Sequence, residues 1–288
     1  MPSRTLIHAL PLSLAVAGAL AAAVPAPSAA QPNILHILTD DLGWTALGCY
    51  GNPDVPTPNL DRLAAQGMRF TQAYADAQCS PTRAAFFSGQ YGARTGVFKV
   101  IHELEPPRAA LRIPPATLAL PPSVATLAAT LRAAGYATGL SGKWHIADSY
   151  PAAPLRARDG GNYFDRYGFD FCGAADEKEH PEDKAITAIT DEIIGFIERH
   201  RDRPWFACAM QFTTHTKLTA PRALVEKHAA RGYKRTTSPN ARYSDRPTAE
   251  YLAMLEHFDA EVGRLLARLD ALGLAANTVV VFTSDNGG

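Results

Sequence analysis

Two short stretches of the 288-residue chain put paired oxygen donors directly behind runs of strand-forming residues. Ile34–Leu38 leads into Asp40-Asp41, and Val279–Phe282 leads into Asp285-Asn286. Ligand sites in open α/β sheets gather at the carboxyl ends of strands, so both pairs would face one cleft. Three carboxylates and an amide brought together there repel unless a cation neutralises them. An all-oxygen set suits a hard cation, Ca2+ or Mg2+, rather than Zn2+. For either pair alone an ordinary turn or helix cap is the favoured reading; the recurrence behind two strands, together with the cysteine stretch taken next, shifts the balance to a metal. A different chemistry is offered by Cys79, which stands just before Pro81 and a helix-compatible run, with Pro81 suited to the first helical position. The partial positive charge of a helix N-terminus, with Arg83 one turn on, would stabilise a thiolate or a bound oxyanion. A plain thiol nucleophile would want a base, for which His145 and His215 are candidates. A structural cysteine, or a disulfide with Cys49, Cys172 or Cys208, stays open on the same residues.

The elements that must hold these groups follow from periodicity. Asn33–Leu38 is apolar and β-branched and predicts a buried strand. A helix follows with Thr57 as N-cap, Pro58 in its first position and Gly67 as its stop. Another begins near Pro81. Val124, Leu127 and Leu131 predict a helix over 123–134, ended by Gly135, and 136–140 a short strand. Apolar residues at 186, 189, 193, 194 and 197 predict an amphipathic helix between Glu182 and His200. Trp205–Phe212 predicts a strand, and Tyr251, Leu255, Phe258, Val262, Leu265 and Leu269 line one face of a long helix over 248–272. Thr278–Phe282 closes the chain as a strand. Uninterrupted apolar strands alternating with amphipathic helices mean an α/β fold, a largely parallel central sheet with helices on both faces. Segments 147–161 and 231–247 read as surface loops.

Composition narrows the classes. The chain carries 28 Lys+Arg against 28 Asp+Glu, with 47% hydrophobic and 19% charged residues. That excludes a disordered tail, a collagen-like repeat and a coiled coil. A formal net charge of zero gives no electrostatic footprint for nucleic acid. Residues 1–30 hold one charge, Arg4, then an apolar run from Leu6 to Val24 and the small residues Ser28-Ala29-Ala30. This predicts a secretory signal peptide cleaved after Ala30, an exported periplasmic or secreted protein, and no membrane span after cleavage. Because a strand and a polar turn come last with no covering helix, residues 31–288 are expected to be a C-terminally truncated catalytic domain.

Cys79-Ser80-Pro81-Thr82-Arg83 resembles the Cys-x-Pro-x-Arg signature of the sulfatase family, in the alkaline phosphatase superfamily. Asn33-Ile34-Leu35 with Asp40-Asp41-Leu42-Gly43-Trp44 is similar to that family's opening strand and first metal ligands. Cys49-Tyr50-Gly51-Asn52 and Thr57-Pro58-Asn59-Leu60-Asp61-Arg62-Leu63 resemble the stretch that follows it. Gly142-Lys143-Trp144-His145 resembles its Gly-Lys-Trp-His segment, and Phe282-Thr283-Ser284-Asp285-Asn286-Gly287 its second ligand pair. All of these in the family's order make a specific pattern. The resemblance implies an alkaline-phosphatase-like fold whose C-terminal subdomain lies beyond this sequence. It also implies that a maturation enzyme converts Cys79 to formylglycine, and that Asp40, Asp41, Cys79, Asp285 and Asn286 hold one Ca2+, with Mg2+ the less favoured ion. Hydrolysis of an aryl or carbohydrate sulfate ester follows, with Arg83 and Lys143 on the developing charge, His145 as base, and His215 as sulfate binder or acid. The same superfamily also leaves a phosphodiesterase or phosphonate monoester hydrolase open, and the truncation leaves a non-catalytic fragment open.

Overall fold

In the computed structural model, the described residues are 31–55, 57–101, 114–117, 119–147, 163–236 and 247–288. The predicted signal peptide and most of the two predicted surface loops lie outside them. Five strands form the sheet: β1 (Asn33–Thr39), β2 (Ala137–Gly142), β3 (Phe171–Cys172), β4 (Trp205–Met210) and β5 (Thr278–Ser284). They run in the order β3-β2-β4-β1-β5. Every neighbouring pair is parallel. The helices are α1 (Pro58–Gln66), α2 (Cys79–Ser88), α3 (Gly92–Thr95), α4 (Leu127–Ala133), α5 (Ile186–Arg199), α6 (Arg222–Ala230) and α7 (Ala249–Ala271).

The sheet divides the core in two because successive side chains of a strand point to opposite faces. On one face Leu35, Ile37, Ala207 and Ala209 meet the apolar stripes of α5 (Ile186, Ile189, Ile193, Phe196) and α7 (Leu255, Phe258, Val262, Leu265). On the other, Leu38, Leu140, Phe206, Cys208 and Met210 meet α2 and α4. There Trp144 is the centre of an aromatic cluster, 4.9 Å from Phe87, 5.0 Å from Tyr167 and 5.5 Å from Phe164 between ring centroids.

Register decides where chemistry can happen. Thr39 pairs with Ser284, Leu38 with Met210, and Gly142 with Met210. Asp40, Lys143, Gln211 and Asp285 therefore leave their strands along one edge. At Gly142 the chain turns with φ +96°, and a Cβ there would lie 2.1 Å from the Met210 carbonyl oxygen. Only glycine tolerates both the conformation and that approach.

Several elements differ from their predicted bounds, each for a local reason. Helix α2 starts at Cys79 with Gln78 as N-cap, so Cys79 is inside the first turn rather than before it, and Pro81 is its third residue. Pro is tolerated there because first-turn N–H groups have no intrahelical partner. Helix α4 starts only at Leu127 because the Thr126 hydroxyl accepts from the Ala129 N–H. Helix α5 starts at Ile186 because Lys184 and Ala185 take left-handed backbone conformations, φ +57° and +61°. Strand β5 is an edge strand: Val280 and Phe282 pack inward, whereas Val279 and Val281 are exposed. Helix α6 and the two-residue β3 were not predicted; α6 buries only Val225 and His228, too few for a periodic signal.

Candidate active site

Helix α2 and three strand ends deliver their side chains to one buried point. Asp40, Arg83 and Asp285 have no solvent exposure, and Lys143, His145 and Cys79 are almost as deeply buried. Arg83, four residues after Cys79, donates from Nε and a terminal nitrogen to Asp285 Oδ2, at 2.9 and 2.8 Å. Its other terminal nitrogen donates to the Lys143 carbonyl oxygen. Lys143 Nζ donates to Asp40 Oδ2 at 2.5 Å. Cys79 Sγ is 3.2 Å from His145 Nδ1.

The backbone fixes the rest. The Asp285 N–H donates to the Thr39 carbonyl, and the Asp41 N–H to Asp285 Oδ1, so the two predicted pairs are laced together. Asn286 donates its side-chain amide to Asp41 Oδ1 at 2.7 Å. Asp41 and His145 both have left-handed backbones, φ +60° and +57°. Non-glycine residues hold that conformation only where their surroundings over-determine it, commonly at functional sites.

Charge explains what this cluster can hold. Burial pushes the Asp285 carboxyl up; Arg83 pulls it down and neighbouring Asp40 pushes it up again. Burial would pull Arg83 down, yet Asp285 and Asp40 hold it above its ordinary value. Asp40 Oδ1 and Asn286 Oδ1 are buried oxygens with no hydrogen-bond donor. Donor atoms of Asp40, Cys79 and Asp285 lie within 4.8 Å of one another. An orphaned Asp40 oxygen beside the Asp285 carboxylate in a buried cluster fits a hard divalent cation. Asp41 adjoins this group through Asn286, whose amide donates to its Oδ1.

The setting of Cys79 does not favour a thiolate. Burial raises the Cys79 thiol above its ordinary value, Lys143 and Arg83 opposing and Asp40 and Asp285 adding to the rise. Cys79 is also not in a disulfide, nor are Cys49, Cys172 and Cys208. Such a shift lowers the thiolate fraction on which a cysteine's nucleophilicity depends.

His215 is carried by the segment that leaves β4, and among the described residues it bonds only locally and to one lysine. Its N–H donates to the Phe212 carbonyl and its Nδ1 lies 2.9 Å from the Thr216 carbonyl. The segment itself is fastened to the site: the Asp40 N–H donates to the Thr213 carbonyl, the Thr214 N–H donates to the Asp40 carbonyl, and the Thr214 hydroxyl to the Asp41 carbonyl. The residue that sequence reasoning missed is Lys184, whose Nζ donates to the carbonyls of both His215 and Thr216. Its isolated position between Asp183 and Ala185 gave no signal, because its role exists only in tertiary contact.

The fold is the alkaline-phosphatase-like α/β architecture. It is shared with the solved structure of Ps i-CgsB, which superposes with a TM-score of 0.67 at 26% identity over 90% of this chain and 59% of that one. Ps i-CgsB has also been solved in complex with k-i-k-neocarrahexaose. A phosphonate monoester hydrolase of Agrobacterium radiobacter shares the fold, with a TM-score of 0.63 at 19% identity over 89% of this chain and 62% of that one. Within this architecture, residues 32–288 match the sulfatase family model, and the chain belongs to the sulfatase family. It is 32% identical to dog (Canis lupus familiaris) N-acetylgalactosamine-6-sulfatase, over 96% of this chain and 53% of that protein. It is 32% identical to human (Homo sapiens) arylsulfatase A, over 96% of this chain and 55% of that protein. The chain spans about half the length of the curated relatives it matches. No helix among the described residues is long and apolar enough to cross a membrane.

Proposed function

We propose that the protein hydrolyses sulfate monoesters of aryl or carbohydrate alcohols, with Cys79 matured to formylglycine and one Ca2+ held by Asp40, Asp41, Asp285 and Asn286. Residues 31–288 are then the catalytic domain portion, and residues 1–30 a signal peptide that directs export. The observation that carries this reading is the shared burial of Cys79 with His145 and with the Asp40–Arg83–Asp285–Lys143 charge cluster. A raised thiol pKa would be a defect in a cysteine nucleophile, but it is immaterial to a residue whose sulfur is removed during maturation.

The metal supplies Lewis-acid polarisation of the sulfate oxygens. Formylglycine at position 79 would supply, when hydrated, one hydroxyl whose oxygen bonds to sulfur as the sulfur–alcohol oxygen bond breaks, and a second whose deprotonation breaks the carbon–sulfate oxygen bond and restores the aldehyde. The chain's own side chains do the rest. Arg83 orients the oxygen at position 79 and spreads its charge through a planar fork. Lys143 puts a compact positive charge beside the sulfate oxygens. His145, 3.2 Å from the position-79 side chain, takes the proton of the second hydroxyl. His215 protonates the leaving alcohol oxygen.

Two measurements test this. Mass analysis of the tryptic peptide 70–83, from a host that carries the formylglycine-generating enzyme, is expected to show an aldehyde or its hydrate at position 79. An unmodified thiol would sink the mechanism. Turnover of an aryl sulfate is expected to exceed that of an aryl phosphodiester, and the reverse order would assign a phosphodiesterase instead. For the ion, saturation at about 100 times its dissociation constant stabilises by ~2.7 kcal/mol. In a domain of this size that raises Tm by roughly 5–10 °C. Differential scanning calorimetry with Ca2+, with Mg2+ and with chelator should show the rise for Ca2+, and Asp285→Asn should lose it. An equal or larger rise with Mg2+ would reverse the ion assignment.

A further inference from the structure

Lys184 is buried, stands outside every motif, and is not in the cluster around Cys79. Its ammonium has three donors and three acceptors: Glu177 Oε2 at 2.8 Å, the His215 carbonyl at 2.7 Å and the Thr216 carbonyl at 2.9 Å. The turn that aims it is rigid. Lys184 and Ala185 are consecutive left-handed residues, the Ala185 N–H donates to the His180 carbonyl, and Glu192 of α5 accepts from the Ala174 and Ala175 N–H groups upstream. Two adjacent left-handed non-glycine residues are retained only where the neighbourhood demands a particular placement.

Lys184 completes a clamp on the His215 segment. One side of that segment is fastened to the Asp40–Asp41 turn through Thr213 and Thr214. Lys184 fastens the other side through two carbonyls. A carbonyl oxygen can only accept, so the 2.9 Å contact between His215 Nδ1 and the Thr216 carbonyl requires the proton on Nδ1. Nε2 is then the nitrogen left to carry a proton to or from a ligand. Lys184 Nζ bonds that same Thr216 carbonyl and holds it in place as the tautomer-setting acceptor.

We propose that Lys184 is a positioning residue: it orients the His215–Thr216 backbone so that His215 keeps its Nδ1–H tautomer and presents Nε2 to the substrate. This rests on the catalytic role given above to His215. The alternative is a buried lysine that matters only to stability.

A double-mutant cycle in the whole, matured protein separates the two, with kcat and KM for an aryl sulfate measured for Lys184→Met, His215→Ala and the pair. Lys184→Met is expected to lower kcat by roughly 100-fold, the low end of what a positioned acid contributes, with KM changed less than about threefold. Adding it to His215→Ala should cost nothing further. Additive losses in the cycle, or an unchanged kcat, would overturn the proposal. Should Lys184→Met fail to fold, Lys184→Gln keeps two of the three N–H donors and runs the same cycle with a smaller loss. A second readout needs no turnover: 15N NMR of the histidine side chains should show His215 in one tautomer in the unsubstituted protein and in a mixture after either Lys184 substitution. An unchanged tautomer also overturns the proposal. Absence of sulfate ester turnover in the unsubstituted protein would sink the functional reading, and the NMR comparison would still decide the role of Lys184.

Discussion

Arg83→Met is expected to destabilise the fold by about 3–5 kcal/mol, the usual cost of breaking a buried ion pair by removing one partner. Arg83 has no exposure and commits three of its five N–H donors, two to Asp285 Oδ2 and one to the Lys143 carbonyl. One terminal nitrogen also stands 3.8 Å from Asp40 Oδ1. Methionine fills much of the same volume with an apolar chain, so the loss is electrostatic rather than a cavity. It leaves Asp285 buried beside Asp40, with Lys143 the remaining cation of the inner cluster, and a carboxylate unpaired in low dielectric is costly. In a domain of this size the loss lowers Tm by roughly 10 °C. Ca2+ should recover part of it, because a cation among the same oxygens replaces some of the missing charge. Arg83→Lys should fall between the two, keeping the charge and losing the fork. Thermal unfolding of the three proteins with and without Ca2+ checks this; a Tm for Arg83→Met within about 2 °C of the unsubstituted protein would mean that Arg83 is not the keystone of the cluster. Turnover should fall by at least ~100-fold in the methionine variant, the scale of removing one preorganised donor from an active site.

The proximity of Asp40 and Asp285 was legible through general chemistry: donors behind parallel strands share an edge, and register puts Asp285 beside Asp40. Strands β1, β4 and β5 and helices α1 and α7 were legible because their patterns are long or their stops unambiguous; Thr57-Pro58 and Gly67 bound α1 as predicted. What was hidden arises from backbone conformation and tertiary contact. Nothing local marks Asp41 or His145 as left-handed, since neither is glycine. The fork of Arg83 on Asp285 joins residues 202 positions apart. Helix α2 begins two residues before the proline that was taken to open it, which moved Cys79 from the mouth of the helix into its first turn and into the core. That burial pushes the thiol pKa up, and no spacing rule carries it. Lys184 was illegible for the same reason, because two of its three acceptors are backbone carbonyls some thirty residues away.

A second large effect is expected from His36, which no motif singles out. It lies in the middle of β1, fully buried, stacked on Phe86 at 4.0 Å with Nε2 2.9 Å from the Thr283 hydroxyl. Burial, with the charge of Arg83 adding to it, pulls its pKa from 6.5 down to about 3. The imidazole is therefore neutral in the fold across the range where the unfolded chain takes up a proton. Between pH 6.5 and 3 the unfolded state binds more protons, so stability is fully present above pH 6.5 and is lost as pH falls through that window. By pH 5 the loss from this one group amounts to about 2 kcal/mol, at about 1.4 kcal/mol per pH unit once the unfolded histidine is mostly protonated. His36→Asn keeps a polar partner for Thr283 and cannot titrate. It should be less stable at pH 7, since it loses the stack on Phe86, and its stability should fall less steeply on acidification. Urea unfolding followed by tryptophan fluorescence at pH 7 and pH 5 gives the comparison. Equal losses in the two proteins would mean that His36 is accommodated as a cation, which its stacked setting beside Arg83 does not permit. The two predictions are linked through that arginine: Arg83 restrains the carboxylates at the end of β1 and, by the same charge, keeps the histidine in the middle of β1 neutral. In the Arg83→Met background the acid sensitivity conferred by His36 should accordingly shrink without vanishing, because burial is its larger cause.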